Sequence, residues 1–355
     1  NVPSFVQSSM DGYAISFDDL KNNQPLKIVQ TIQAGDSNVI ELQPLEVARI
    51  FTGAPLPIGA DTVLMQEKAK VDDNQLYILD ENLQKGTNAR SIGADIQKGA
   101  VAIKKGTLLT PGAIGFLASL GLTHVAVIRK PSVHIILTGN ELQEIGNELI
   151  SGQIYESNSH TLLTGLHQFG INDISIEKVT DNLELVTRAI ELSLSQFDLI
   201  IITGGISVGD YDYVSEACNQ NQVTQLFHKV KQKPGKPLYI GKKEEKVICA
   251  LPGNPASVLS CFYNYVSLVL DQMSNTHTAM KTVHAVLKNN YKKPAGLTHF
   301  LKAIYDYSKN EVEILEGQES FKMSAFVTAN CFVELPEALM ECHPGQKVIV
   351  HLFKL

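Results

Sequence analysis

Apolar and polar positions change rhythm twice along the chain. From about Gly12 to Lys85 the apolar positions fall in short β-type runs (Leu26–Gln33, Val47–Phe51, Thr62–Gln66, Leu76–Leu79) parted by Gly, Pro, Asp and Asn. This predicts a small, mostly β domain over residues 13–84. Glycines are then frequent up to Lys130, and the pattern there predicts a short helix capped by Thr110, with Pro111 at its first position, followed by a strand at Thr123–Ile128. Residues 85–130 read as a unit that connects others. After Lys130-Pro131 the rhythm changes again. Val133–Leu137, Ile174–Val179, Leu199–Thr203 and Val247–Ala250 are β-branched apolar runs that alternate with the helix-period segments Ser159–Phe169, Leu183–Ser195, Tyr213–Asn219 and Pro255–Leu270. Alternation of this kind predicts βαβ units and a mainly parallel, doubly wound α/β domain over residues 131–274. Beyond Ser274 short strands return (Val283–Leu287, Phe300–Tyr305, Glu311–Leu315, Phe332–Leu335, Lys347–Phe353), so residues 275–355 predict a small β module of barrel or sandwich type.

The 355 residues fit two to four domains. With 44% hydrophobic and 19% charged residues the composition is that of a globular protein, which removes disordered, collagen-like and disulfide-scaffold readings. Thirty Lys+Arg against 37 Asp+Glu leave a formal charge of −7, so there is no global positive field for nucleic acid. An anionic ligand must be held by local devices: loop amides, helix N-termini or grouped lysines. The uncharged stretch Thr107–Ile128 is long enough for a membrane span, but Pro111, Gly112, Gly115 and Gly121 interrupt it, and no span is expected. Five scattered cysteines without a C-x-x-C pair fit buried thiols in a reducing, cytoplasmic compartment. No H-E-x-x-H, Cys/His cluster or G-x-S-x-G elbow occurs, which argues against zinc and serine-hydrolase chemistry.

In an open α/β sheet, ligands bind beyond the carboxyl ends of the strands. Three predicted strands end in marked loops: Thr138-Gly139-Asn140-Glu141, the long Thr203-Gly204-Gly205-Ile206-Ser207-Val208-Gly209-Asp210-Tyr211-Asp212, and Leu251-Pro252-Gly253-Asn254-Pro255. The second has the makings of an anion cradle, with paired glycines, hydroxyls and a helix just beyond. Its acids would repel a phosphate unless a divalent cation lay between them. An ordinary N-cap with solvated acids is the alternative. It matches neither G-x-G-x-x-G nor the Walker pattern. The third loop sets Asn254 as N-cap before Pro255. Between the loops, Lys229-Val230-Lys231-Gln232-Lys233-Pro234-Gly235-Lys236-Pro237 is a cationic patch, either a solvated face or a fixed functional loop. Asp11-Gly12 reads as a hairpin turn or a presented acid, and Thr52-Gly53-Ala54-Pro55 as a turn or a presented hydroxyl.

Together, Ser9-Met10-Asp11-Gly12-Tyr13-Ala14, Thr52-Gly53-Ala54-Pro55, Thr138-Gly139-Asn140-Glu141-Leu142, the Thr203–Tyr213 loop, Lys233-Pro234-Gly235-Lys236-Pro237 and Leu251-Pro252-Gly253-Asn254-Pro255 resemble the MoeA family of molybdopterin molybdenumtransferases, related to the E domains of gephyrin-like proteins. The resemblance spans the whole chain. It implies a connecting domain made of residues 1–12 and 85–130, a MogA-like α/β domain, a C-terminal β barrel and an elongated homodimer, with the first part of the usual N-terminal segment lying before Asn1. It also implies the reaction: adenylylated molybdopterin and molybdate as substrates, Mg²⁺ as cofactor, molybdenum cofactor and AMP as products, and a MogA-like adenylyltransferase as a partner.

By resemblance Asp11, Thr52, Glu141, Asp181, Asp212, Lys229 and Lys233 fall on catalytic positions. Gly204, Gly205, Ser207, Lys236, Pro252, Gly253, Asn254, Pro255 and Ser320 fall on binding positions. Glu141, Asp181 and Asp212 would position metal or water, with Glu141 and Asp212 as metal ligands. Lys229, Lys233 and Lys236 would grip phosphate and molybdate as point charges. Gly204, Gly205 and Ser207 would donate to the pterin phosphate, and Asp11 and Thr52 would complete the site across the dimer. Three positions depart from the family pattern: Asn140 replaces a common acid, Lys302 an arginine, and Phe321 a frequent histidine. A gephyrin-like scaffold on the same fold is the competing reading, and the related adenylyltransferase is a third.

Overall fold

The computed structural model describes residues 1–22, 24–38, 40–206, 213–277 and 279–353. The chain divides into two compact units, Asn1–Val125 and Ala126–Leu355.

In the first unit a six-stranded sheet runs in the order Thr62–Met65, Gly12–Ile15, Glu46–Ile50, Leu26–Ile32, Gln75–Ile78, Ala69–Asp72. Neighbouring residues of a strand face opposite sides. Ala14, Ala48 and Val63 therefore pack in one cluster and Ile15, Val47 and Leu64 in the other, and both faces are buried. Gln7–Ser8 pairs antiparallel with Ala89–Arg90, and Val2 bridges Ile96, so the start of the chain runs beside the segment after the sheet. Thr110 caps the helix Pro111–Ser119, its hydroxyl accepting from the Ala113 N–H at 3.3 Å. The strand expected at Thr123–Ile128 does not form: the segment is irregular and exposed, because β-branched residues alone make no strand without a ladder to join.

The second unit holds the doubly wound sheet, in the order Ile174–Val179, Val133–Thr138, Leu199–Thr203, Lys246–Leu251, Tyr239–Lys243, Thr224–His228. The first four strands are parallel, and the last two, absent from the sequence reading, add an antiparallel edge. Ile135 and Leu137 point into a cluster with Leu162, Leu166, Val258 and Phe262, while Ile136 points into the opposite one with Val186, Ile190 and Val214. Both faces are thus covered by helices, as a buried parallel sheet requires. The helix Pro255–Cys261 continues through one wider turn, Phe262–Val266, into Ser267–Ser274.

Five strands then close a barrel. Thr298–Asp306 pairs with both Glu311–Ile314 and Cys331–Leu335; Lys347–Leu352 joins Cys331–Leu335 to Lys281–Leu287, which meets Glu311–Ile314. Its interior is filled by Leu301, Ala303, Val312, Val333 and Val350. Outward-facing Phe332 and Phe353 pack on Tyr263 of the wider turn, with the Tyr263 and Phe353 rings stacked 4.4 Å apart. The barrel and the α/β layer therefore share one hydrophobic cluster. Among the described residues no helix is long and apolar enough to cross a membrane. All five cysteines are buried and none is in a disulfide.

Candidate active site

Strand order fixes where the cleft opens. Val133–Thr138 has the next large strand, Ile174–Val179, on one side and Leu199–Thr203 on the other, so the connections leaving Val133–Thr138 and Leu199–Thr203 run to opposite sides and a crevice forms at their carboxyl ends. A cleft of about 360 Å³ lies there. Thr138 and Thr203 are buried at the strand ends, and the Thr138 hydroxyl donates to the Thr203 carbonyl at 3.2 Å. Gly204 has φ +85°, and a Cβ there would stand 2.6 Å from the Thr138 carbonyl oxygen. Only glycine supplies this turn against so close a neighbour.

Glu141, Asp181, Gly204, Gly205, Pro252 and Gly253 line the cleft, as do Asn254, Pro255 and Pro237. The Glu141 carboxylate folds back over Gly139, where a Cβ would meet its Oε2 at 2.8 Å. Asn140 ties two loops together, its Oδ1 accepting from the Asp181 N–H at 3.4 Å. Among the described residues no hydrogen bond or ion pair occupies the carboxylate of Glu141 or of Asp181, and no cluster of three metal-ligating groups occurs. Ser207 and Asp212 lie outside the described residues.

The lysine loop is fixed by its own neighbours. The Val230 N–H donates to the Lys236 carbonyl at 3.0 Å, and the side chain of buried Gln232 donates to the Pro234 carbonyl at 3.0 Å and accepts from the Tyr265 hydroxyl. Gln232–Lys233 adds in parallel to Thr298–His299 of the barrel. Lys233 consequently lines a second cavity, of about 560 Å³, with Asn289, Asn290, His299, Gln318 and Glu319. Lys229 and Lys236 are exposed and line neither cavity. His299 is 3% exposed, and its Nε2 has no hydrogen-bond partner among the described residues. Burial, and then the ammonium groups of Lys293 and Lys233, push its pKa down to about 4, so the ring is neutral at pH 7.

Asn254 corrects the sequence reading. Its backbone is in the N-cap position, but its side chain does not cap; Nδ2 donates instead to the Ser320 hydroxyl of the C-terminal region at 3.2 Å. In the first unit, the Thr52 N–H and hydroxyl both donate to Asp11 Oδ1 at 2.8 Å. The Thr52 N–H and then its hydroxyl hold the Asp11 carboxyl below the usual carboxylate range. Gly12 begins a strand rather than a hairpin turn; a Cβ there would fall 1.9 Å from the Leu64 carbonyl oxygen.

Comparison with known proteins settles the family. Residues 1–121 match the MoeA N-terminal region (domain I and II), residues 134–272 the "Probable molybdopterin binding domain", and residues 284–353 the MoeA C-terminal region (domain IV). A molybdopterin molybdenumtransferase of Haemophilus influenzae is 35% identical over 99% of this chain and 88% of its own length. The chain belongs to the MoeA family. A Bacillus subtilis molybdopterin molybdenumtransferase is 30% identical over 100% of this chain and 85% of its own. The crystal structure of a Pyrococcus horikosii MoeA protein superposes with TM-score 0.83 at 30% identity, covering 99% of this chain and 88% of that one. Membership makes the protein an enzyme and places it in molybdenum cofactor biosynthesis.

Set beside the MoeA pattern, Lys302 keeps a charge but uses it internally. It is 3% exposed, its ammonium donates to the Lys322 carbonyl at 2.9 Å and lies 5.3 Å from the Phe326 ring centre. Phe321 is exposed. Two residues of the site escaped the sequence reading. His299 carried no signal. Asn158 did: with Glu156 and Ser157 it forms a polar cluster at the start of an amphipathic helix, worth reading as more than a cap.

Proposed function

We propose that this MoeA-family enzyme is a molybdenum insertase, converting adenylylated molybdopterin and molybdate into molybdenum cofactor and releasing AMP with Mg²⁺. The observation that carries the reading is the pairing of a glycine-floored, carboxylate-rimmed cleft at the sheet's switch point with a lysine-bearing cavity lined by Glu319, next in sequence to the Ser320 that Asn254 of the cleft bonds. A phosphoanhydride beside a metal oxyanion is a dense negative charge, and ammonium groups and amide donors are what stabilise it. Lys233 supplies the cation that lines a cavity, Lys229 and Lys236 would add charge from the exposed part of the same loop, and Gly205 would offer a backbone N–H; that of Gly204, expected to donate to the phosphate, is already given to the Leu251 carbonyl at 3.2 Å.

Glu141 and Asp181 suit a hard cation held jointly with substrate phosphates, since Mg²⁺ takes few protein carboxylates and keeps oxygen ligands from its substrate. Bound there, Mg²⁺ would neutralise charge that develops as the anhydride breaks. The proposal extends to Asp212 as a third carboxylate. It also extends to a cytoplasmic homodimer in which Asp11 and Thr52 complete the site, and to substrate delivery by a MogA-like adenylyltransferase. Purified protein given adenylylated molybdopterin, molybdate and Mg²⁺ should release AMP. Asp181→Ala or Lys233→Ala should cut that release at least ~10²-fold while circular dichroism is unchanged. Folded wild-type protein that releases no AMP would overturn the proposal.

A further inference from the structure

Asn158 opens the helix Asn158–Gln168, lines the strand-end cleft and is only 5% exposed. Its Nδ2 donates to the Gly253 carbonyl at 2.9 Å. A carbonyl can only accept, so this bond fixes which way the amide faces and leaves Oδ1 as the outstanding group. That oxygen is buried and, among the described residues, meets no donor. Buried acceptors are almost always paired, and a native exception asks for an explanation. The helix end itself needs no anion. Ser159, in its first turn, gives its N–H to the buried Glu156 carboxylate at 2.9 Å, and its hydroxyl bonds the same carboxylate. This corner of the cleft therefore offers an acceptor and calls for a donor. An ionised phosphate has none to give, whereas the 2-amino-4-oxo pyrimidine edge of a pterin carries an exocyclic amine and a ring N–H.

We infer that Asn158 is a specificity-determining residue of the cleft, its side-chain oxygen accepting a hydrogen bond from the amine-bearing edge of the bound pterin. The inference rests on the pterin reading of the site proposed above. A site with a buried acceptor rejects an analogue that lacks the matching donor, because the acceptor is then left dry and unpaired.

Fluorescence titration of the full chain compares a simple 6-substituted pterin with two analogues: the corresponding lumazine, in which a carbonyl replaces the 2-amino group, and the 3-methylpterin, which lacks the ring N–H. Wild-type protein should bind the pterin about ten-fold or more tighter than at least one analogue. Asn158→Leu should lose a similar factor for the pterin and bind all three alike, with molybdate binding by calorimetry unchanged. The wild-type comparison needs no variant, so a misfolded Asn158→Leu leaves the test intact. Equal binding of all three ligands by wild type, including equal binding through a bridging water, overturns the role of Asn158 alone. So does a preference that survives in folded Asn158→Leu. If wild type binds none of the three and releases no AMP, the pterin reading falls and this inference with it.

Discussion

Gly204→Ala tests whether the floor of the cleft is as tightly built as its geometry states. Gly204 has φ +85°, and an added Cβ would stand 2.6 Å from the Thr138 carbonyl oxygen and 2.7 Å from the Thr138 hydroxyl oxygen. Ordinary contacts begin near 3.4 Å, so Thr138 or the turn must move by most of an ångström. Thr138 cannot yield freely, because it is buried and its hydroxyl donates to the Thr203 carbonyl. The left-handed backbone costs an alanine roughly 1–2 kcal/mol. Overpacking against a fixed neighbour adds about 1–3 kcal/mol. A total near ~3 kcal/mol is expected, read as a fall in the urea midpoint at constant m-value. Gly253→Ala is the internal comparison. Gly253 lies outside the left-handed region, and its added Cβ would find nothing nearer than the Gly204 Cα at 3.7 Å. That variant should unfold within ~0.5 kcal/mol of wild type, or slightly later. Equal stability of the two variants would refute the argument from backbone and contact.

Asp198 staples the start of the α/β domain. Its carboxylate accepts from the Ser132 N–H at 2.8 Å and pairs with Arg129 at 2.9 Å; burial pushes its pKa up, but these bonds outweigh it and hold it at about 2. The stabilisation is complete above the unfolded value near 4 and is lost as pH falls towards 2; it is worth about 2 kcal/mol. Asp198→Asn should lose that amount at pH 7 and flatten the acid limb of a stability profile, and an unaltered limb would contradict this. Thr52→Val removes the hydroxyl donor but keeps the N–H, so the Asp11 carboxyl should titrate higher than in wild type yet still below an ordinary aspartate, as followed by NMR. Asn254→Ala should cost less than ~1 kcal/mol and leave helix content unchanged, because the side chain bonds Ser320 rather than capping; measurable helix fraying would argue otherwise.

The two central strands of the parallel sheet, in which every residue is buried, were the plainest to read from sequence. Leu199–Thr203 is apolar up to its final threonine, and Val133–Thr138 is apolar apart from His134 and Thr138, because helices cover both sides and burial writes itself as a nearly unbroken run. Thr224–His228 was illegible for the opposite reason: it is an exposed edge, and partnership with Tyr239–Lys243, not hydrophobicity, makes it a strand. Thr123–Ile128 shows the reverse error, a β-rich composition with no ladder. The glycine and carboxylate loops of the cleft could be found because close backbone approach demands particular residues. The position of Lys233 could not, since it depends on a two-residue pairing with Thr298–His299 that leaves no periodic trace. The polar run Glu156-Ser157-Asn158 marks a helix start in the sequence, but the direction of the Asn158 oxygen is not written there.

That two-residue pairing limits how far this protein can be taken apart. Gln232–Lys233 belongs by sequence to the α/β layer but hydrogen-bonds as a sixth, partial stave of the barrel. A chimera that exchanged the last ~80 residues for a barrel from another source would inherit a foreign docking edge for Lys233. Unless the graft reproduced the register at Thr298–His299, the ammonium group would be re-aimed even though no residue of its own segment had been altered.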